Sequence, residues 1–238
     1  MTPGLVMLQA KRDGMTRNSR QRYLARRLGS AALAAALAAL SGAVAFATTS
    51  ADHLANLANR SLQTAEAQKD QNQALAFYRQ AAELAGQAVA ANPNSARANF
   101  VFFAAKGRLL LAEGATKNLF QLSSLDDYLD RALQLDPNYS NALAAKGGLL
   151  LELPFYLGGD AKQAEALLRR AVELNPTGPG TRTTLARALL HNGNVAAARE
   201  QVIKACHYAC TLRRYRHFVE AQALLEEIDV KLGRAQAQ

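Results

Sequence analysis

Ala104-Ala105-Lys106-Gly107-Arg108-Leu109-Leu110-Leu111 recurs 40 residues on as Ala144-Ala145-Lys146-Gly147-Gly148-Leu149-Leu150-Leu151, with seven of eight positions identical. Agreement of this length at a fixed offset marks the duplication of a structural unit, and a period near forty residues belongs to a helical solenoid. A second signal keeps the same beat: Asn92-Pro93-Asn94, Asp136-Pro137-Asn138 and Asn175-Pro176-Thr177 lie 44 and 39 residues apart. Each closes a segment of helical apolar periodicity. Proline has no backbone N–H and disfavours helix in the residue before it, so each of these sites ends a helix and turns the chain. Five positions before each proline stands a small residue, Ala88, Ala132 or Ala171. In the third unit Ala164, Leu168 and Ala171 fall at helical spacing on one face, which predicts burial against the preceding helix.

This pattern resembles the tetratricopeptide repeat (TPR), an antiparallel pair of helices A and B. The best single match is residues 177–210, where Ala186, Ala198, Val202 and Ala205 take the family's small and apolar positions and Cys210 stands where the family has proline. The two preceding repeats exceed the family's length because their A-to-B connections are extended near 114–123 and 153–159. The fold class that follows is all-α, a TPR-like solenoid of helical hairpins with a C-terminal capping helix. The expected pairs are 50–68 with 72–91, 95–112 with 123–135, 139–153 with 160–174, and 181–191 with 195–208. A final helix over 212–232, with Phe218, Ala221, Leu224, Leu225 and Ile228 at helical spacing, covers the open end of the stack. Asp160 reads as an N-cap with Gln163 completing a capping box, and Ser123 or Ser124 as the cap of its own helix.

Composition agrees with helix. Half of the 238 residues are hydrophobic, tryptophan is absent, and 7 Tyr and 8 Phe are too few for a sandwich or barrel built on aromatic strand pairs. The formal charge of +9 invites a polyanion partner, yet residues 1–47 hold seven basic residues against the single acid Asp13. The body, with 21 basic and 18 acidic residues, is near neutral. Phosphate affinity needs a concentrated basic surface, so nucleic acid is not an expected partner.

The leader runs from Arg26-Arg27 through an uncharged stretch to Ala45-Phe46-Ala47 and then Thr48-Thr49-Ser50. A basic region, an apolar region and a small-x-small site make the plan of a secretory signal, cleaved before Thr48. An apolar stretch of about 20 residues is also long enough to be kept as a membrane anchor. Residues 1–47 are therefore read as a signal peptide or N-terminal anchor, starting at Met1 or Met15, and 48–238 as the repeat domain. Either way the body is expected in the periplasm or cell envelope, touching a membrane only through an uncleaved leader.

Chemistry-bearing patterns are sparse. His53, His191, His207 and His217 belong to no H-E-x-x-H arrangement, and neither a Gly-rich phosphate loop nor a Gly-x-Ser-x-Gly elbow occurs. In the cluster Cys206-His207-Tyr208-Ala209-Cys210 with His217, eleven residues separate Cys206 from His217, about 16 Å along a helix and too far for zinc unless the chain folds back near Thr211. Cys206 and Cys210 remain either a disulfide formed after export or two packed thiols. No catalytic residue, metal or cofactor is expected.

Aligning Gly107, Gly147 and Ala186 places Arg108, Gly148 and Arg187 at one groove-facing position of successive A helices, with Asn141, Glu152 and Thr183 nearby. Two guanidinium forks flanking a glycine suit a carboxylate, so an organic acid or a peptide carboxylate is the ligand chemistry expected. The same arginines can equally be solvated charge on an open helix face. A narrower resemblance concerns Pro154-Phe155-Tyr156-Leu157-Gly158-Gly159-Asp160 with Ala164, Leu167, Arg170 and Ala171, which is similar to the P-x-x-x-G-G-D connection in the TPR-like T components of TRAP transporters, over roughly residues 138–205. That resemblance implies an exported accessory working beside a solute-binding protein for organic acids. The leading expectation is a non-enzymatic interaction module of the cell envelope that holds a protein or peptide partner in its concave groove, with the transporter accessory as the alternative.

Overall fold

The computed structural model describes residues 50–114, 121 and 124–236. These belong to one compact unit, Ser50–Gln238. The leader, its Ala45-Phe46-Ala47 site, Ser123 and most of the 114–123 connection lie outside the described residues. Among the described residues the regular structure is helical throughout. It comprises α1 (50–67), α2 (Gln71–Ala91), α3 (Ala96–Gly114), α4 (Asp126–Leu135), α5 (Ser140–Glu152), a 3₁₀ turn (Phe155–Leu157), α6 (Ala161–Leu174), α7 (Pro179–His191), α8 (Val195–Thr211) and α9 (Tyr215–Gln236).

From α2 to α9 consecutive helices pack as antiparallel neighbours, α3 also touches α5, α5 touches α7 and α7 touches α9, and α1 packs on α2 and α3 through Ala55 and Ala58. The odd-numbered helices therefore form one layer, the A layer of a TPR solenoid, backed by the even-numbered B helices. The turns between hairpins repeat their chemistry. The N–H groups of Asn92, Asp136 and Asn175 bond Ala88, Ala132 and Ala171 carbonyls at 3.1, 2.9 and 2.9 Å. The Asn92 and Asp136 side chains then accept the N–H two residues on, each at 3.0 Å. The Asx residue thus satisfies the helix end on one side and the turn on the other, while proline between them blocks continuation. Ala88, Ala132 and Ala171 are fully buried.

The core changes in composition along the stack. Between α1, α2 and α3 it is mostly alanine, including Ala55, Ala58, Ala81, Ala85 and Ala98. From α5 onward Leu150, Leu168, Leu185, Leu189 and Val202 replace it, and Ala221, Leu224 and Ile228 of α9 join them, closing the end of the stack. Around the alanine cluster the larger apolar side chains, among them Leu62, Tyr78, Phe100 and Phe102, are only partly buried.

Two details of the turns differ from the sequence reading. Asp160 does cap α6, accepting from the N–H groups of Lys162 at 2.9 Å and Gln163 at 3.0 Å. The Gln163 side chain does not complete a capping box, because the Asp160 N–H goes instead to the Leu150 carbonyl at 3.1 Å and tethers the connection to α5. Helix α4 starts from Leu125 without a side-chain cap. Ser124 donates to the Gln121 carbonyl at 2.8 Å, and Asp126 and Asp127 in the first turn complement the helix dipole.

In the Pro154–Asp160 connection Gly158, Gly159 and Asp160 each have a structural account, while Phe155 and Tyr156 are exposed. Gly158 adopts φ +92°, and a Cβ at Gly159 would stand 1.9 Å from the Leu153 carbonyl oxygen. The backbone could follow this path with no other residue at 159.

Candidate interaction groove

The A layer presents a cleft of about 940 Å³ between α1, α3 and the start of α5. Asn56, Asn59, Arg60 and Gln63, at helical spacing along α1, form one wall; Arg97 and Phe100 of α3 and Asp136, Tyr139 and Asn141 form the other. Arg97 donates to the Asn56 side chain across it. Phe100 meets the edge of Tyr139 with ring centroids 5.1 Å apart. Burial raises the Tyr139 pKa, partly offset by the nearby Arg97 charge, so its hydroxyl stays a neutral donor and acceptor. A wall of amides, guanidinium groups and a phenol offers donors and acceptors in both directions, which suits the alternating polarity of a peptide backbone.

Further along α1, Glu66 faces two arginines. Its Oε1 lies 3.6 Å from Nη2 of Arg108 on α3 and 3.3 Å from Nη1 of Arg216 on α9. Arg216 is also held by Glu220, 3.0 Å from its Nε. The Glu220 hydrogen bond raises the Arg216 pKa further, with burial opposing and the Glu66 charge adding to it. In a flat layer with helices 8–10 Å apart, α1 and α9 would be separated by roughly 30 to 40 Å. Two side chains cannot span that, so the A layer curves until its first and last helices meet. The side chains of Arg108, Arg216 and Glu66 are 46%, 48% and 33% exposed, and pairs this wet contribute about 1 kcal/mol or less each.

The expected groove residues fare unequally. Arg108 is exposed and engaged by Glu66. Asn141 lines the cleft. A Cβ at Gly148 would meet the Thr184 methyl at 3.8 Å, so the neighbouring A helix borders the room left by glycine. Arg187 and Glu152 are exposed and make no hydrogen bond or ion pair among the described residues. Thr183 does not face the groove: it is 4% exposed, and its hydroxyl donates to the Pro179 carbonyl of its own helix at 3.1 Å. Across the A layer Arg108 shares Glu66 with Arg216. Nothing local in the sequence joins Glu66 to Arg216, since only the curvature of the layer brings them together.

Cys206 and Cys210 are free thiols on α8, the first half-buried and the second exposed. Burial raises the Cys206 pKa, which keeps it a thiol and a poor nucleophile. His217 stacks on Gly180, where a Cβ would stand 3.1 Å from the ring, and its Nδ1 lies 3.5 Å from Glu220. Among the described residues no three His, Cys, Asp or Glu side chains converge as a metal site requires. No described helix is long and apolar enough to cross a membrane.

Curved A layer, B-helix backing and Asx-Pro turns together define a TPR protein, and a tetratricopeptide-repeat family model matches residues 156–205. The chain belongs to the family described as regulator of microtubule dynamics protein 1-3, whose model matches residues 31–151. No curated protein matches it. Among solved structures it is similar to a thermophilic TPR protein of Thermus thermophilus, at 24% identity and TM-score 0.46, with 76% of this chain and 95% of that one covered. It is similar also to PilF of Pseudomonas aeruginosa, at 19% identity, TM-score 0.45, and coverage of 76% and 77%. A third likeness is to MamA of Desulfovibrio magneticus, at 19% identity, TM-score 0.41, and coverage of 79% and 98%.

Proposed function

We propose that this chain is an exported, non-enzymatic interaction module that holds a protein or peptide partner along its A-helix face. The cleft walled by Asn56, Asn59, Arg60, Gln63 and Arg97 is the observation that supports this reading, because its groups read backbone amides and carboxylates rather than carry out chemistry. The TPR fold points the same way, towards protein interaction. The family name ties its named members to microtubule dynamics; for this chain what carries over is a role exerted on a protein partner. Export rests on the leader, with Arg26-Arg27 before the apolar stretch and Ala45-Phe46-Ala47 after it. Organic-acid handling beside a solute-binding protein rests on the Pro154–Asp160 connection alone, whose glycines and Asp160 are already accounted for by the turn they build.

A photo-crosslinking residue placed at Asn59 in the cleft, and separately at Glu173 on a B helix, tests the groove. Partner adducts from position 59 and none from 173 are expected; adducts from 173 alone would move the interaction to the outer surface. N-terminal sequencing of protein from an envelope fraction is expected to begin at Thr48, and an intact leader in the alkali-washed membrane pellet would make it an anchor.

A further inference from the structure

We infer that Arg108 and Arg216 form a carboxylate-binding site that the chain fills with its own Glu66, and that an acidic segment of the partner binds by replacing that carboxylate. The inference rests on the proposed groove function and deepens it by naming the ligand chemistry and the internal competitor.

Three observations carry it. Two guanidinium groups from helices far apart in the chain converge on one oxygen, Glu66 Oε1, at 3.6 and 3.3 Å. Each guanidinium favours a carboxylate partner: among the described residues Arg108 has Glu66 alone, whereas Arg216 has both Glu66 and Glu220. Second, the fit is loose. Both separations exceed the 2.7–2.9 Å of a charge-assisted hydrogen bond, and Arg108 makes no hydrogen bond to any described residue, so its forked donors are unspent. A carboxylate that is not tethered to α1 can turn to meet the fork in bidentate fashion, which Glu66 does not. Third, the occupant is replaceable. Its side chain is 33% exposed, so water can take over its solvation as it leaves. The other carboxylate at the site, Glu220, bonds the Nε edge of Arg216 at 3.0 Å and leaves the Nη1 edge that faces Glu66 to be shared with a ligand.

Exchange has a structural consequence. Glu66 stands near the end of α1, which also supplies one wall of the amide-lined cleft. Releasing it removes the ion-pair ties from α1 to α9 and to Arg108, while the Arg97–Asn56 bond and the alanine core still hold α1 against α3. A partner carrying carboxylates therefore competes with the contact that joins the two ends of the solenoid, at a site further along α1 than the residues that line the cleft. A ligand that must first displace an internal one binds more weakly by the fraction of time the site is free.

The test uses the full-length chain at low salt and a fluorescein-labelled hexaglutamate peptide, read by fluorescence anisotropy, with labelled hexaglutamine as the neutral control. Glu66→Gln keeps the shape of the side chain and removes its charge. It is expected to tighten hexaglutamate binding by about five-fold or more, within the usual range for coupled sites. Arg108→Ala and Arg216→Ala are each expected to weaken binding and to abolish the gain when combined with Glu66→Gln. Glu173→Gln makes the same charge change on the outer surface; an equal gain there would attribute the effect to bulk charge and overturn the inference. If Arg108→Ala weakens binding but Glu66→Gln gains nothing, the groove reading stands and the internal competitor falls. If neither the wild type nor Glu66→Gln binds the peptide, both fall.

Discussion

Glu66 on the first described helix and Arg216 on the last lie 3.3 Å apart, so a stack of hairpins that shares contacts only between neighbours is closed by a pair between its ends. Surface pairs contribute about 1 kcal/mol or less to stability, so this one cannot create the curvature; it can only hold a curvature set by helix packing. Reversing the charge with Glu66→Arg would place three cations together. The radius of gyration by small-angle scattering is expected to rise, while the melting temperature changes little. An unchanged radius would show that packing alone keeps the ends together.

Gly107 and Gly147 occupy the same position of the duplicated octapeptide but not the same surroundings. A Cβ on Gly147 would stand 2.7 Å from Leu168 Cγ and 3.1 Å from the Ala164 carbonyl, whereas one on Gly107 meets nothing within 4 Å. Gly147→Ala should therefore destabilise, by about 1–3 kcal/mol as for other overpacked seams. Gly107→Ala should stabilise by up to about 1 kcal/mol, the helix-propensity difference. Denaturant titration of the two variants decides it, and changes of the same sign would contradict the packing described.

Ala171 is fully buried where α6 meets its neighbours, one turn after Leu168. Ala171→Phe is expected to cost about 1–3 kcal/mol by forcing side chains off their rotamers. A melting temperature equal to that of the wild type would displace the repeat register.

Lys146 ties α5 to α4 through Asp126 at 2.6 Å and Asp130 at 2.8 Å, with its side chain only 12% exposed. Burial lowers its pKa, but the hydrogen bonds and charges of the two aspartates together raise it above its ordinary value. Lys146→Ala would leave two carboxylates facing each other without a cation. The expected loss is about 1.5–3 kcal/mol, the range for hydrogen bonds to charged groups. The additional change Asp126→Asn should recover part of it by removing the repulsion. No recovery in the double variant would assign the loss to packing alone.

Glu165 on α6 accepts from Asn192 at 2.8 Å and pairs with Arg169 at 2.8 Å. The Asn192 hydrogen bond lowers its pKa below the ordinary 4.5, burial opposes this, and Arg169 adds to the lowering. A carboxyl depressed in the folded state contributes stability that is present above its unfolded pKa and is lost as pH falls through the folded value. The stability difference between the wild type and Glu165→Gln should then be constant above about pH 5 and shrink as the pH drops below about 4. A difference that did not vary with pH would remove the carboxylate from the account.

The duplicated octapeptide and the three Asx-Pro turns were enough to read helices, hairpin order and burial of Ala164, Leu168 and Ala171, because these depend on local backbone chemistry and on periodicity. Propensity and proline act within a few residues, and their consequences are written where they act. Capping was only partly legible. Asp160 capped as its type demands, but the destination of its own N–H was decided by Leu150, which an extended turn brought near. The groove was legible in its helices and not in its pairs. Register alignment gave Arg108 and Arg187 as groove-facing and did not point to Arg216; it also set Thr183 at a groove-facing position, where the residue is buried. The small rotation added at each hairpin accumulates over the stack, so that Arg108 shares Glu66 with Arg216 from the opposite end. Local sequence determines each hairpin, whereas the sum of the angles between hairpins, set by how each interface packs, decides which distant residues meet.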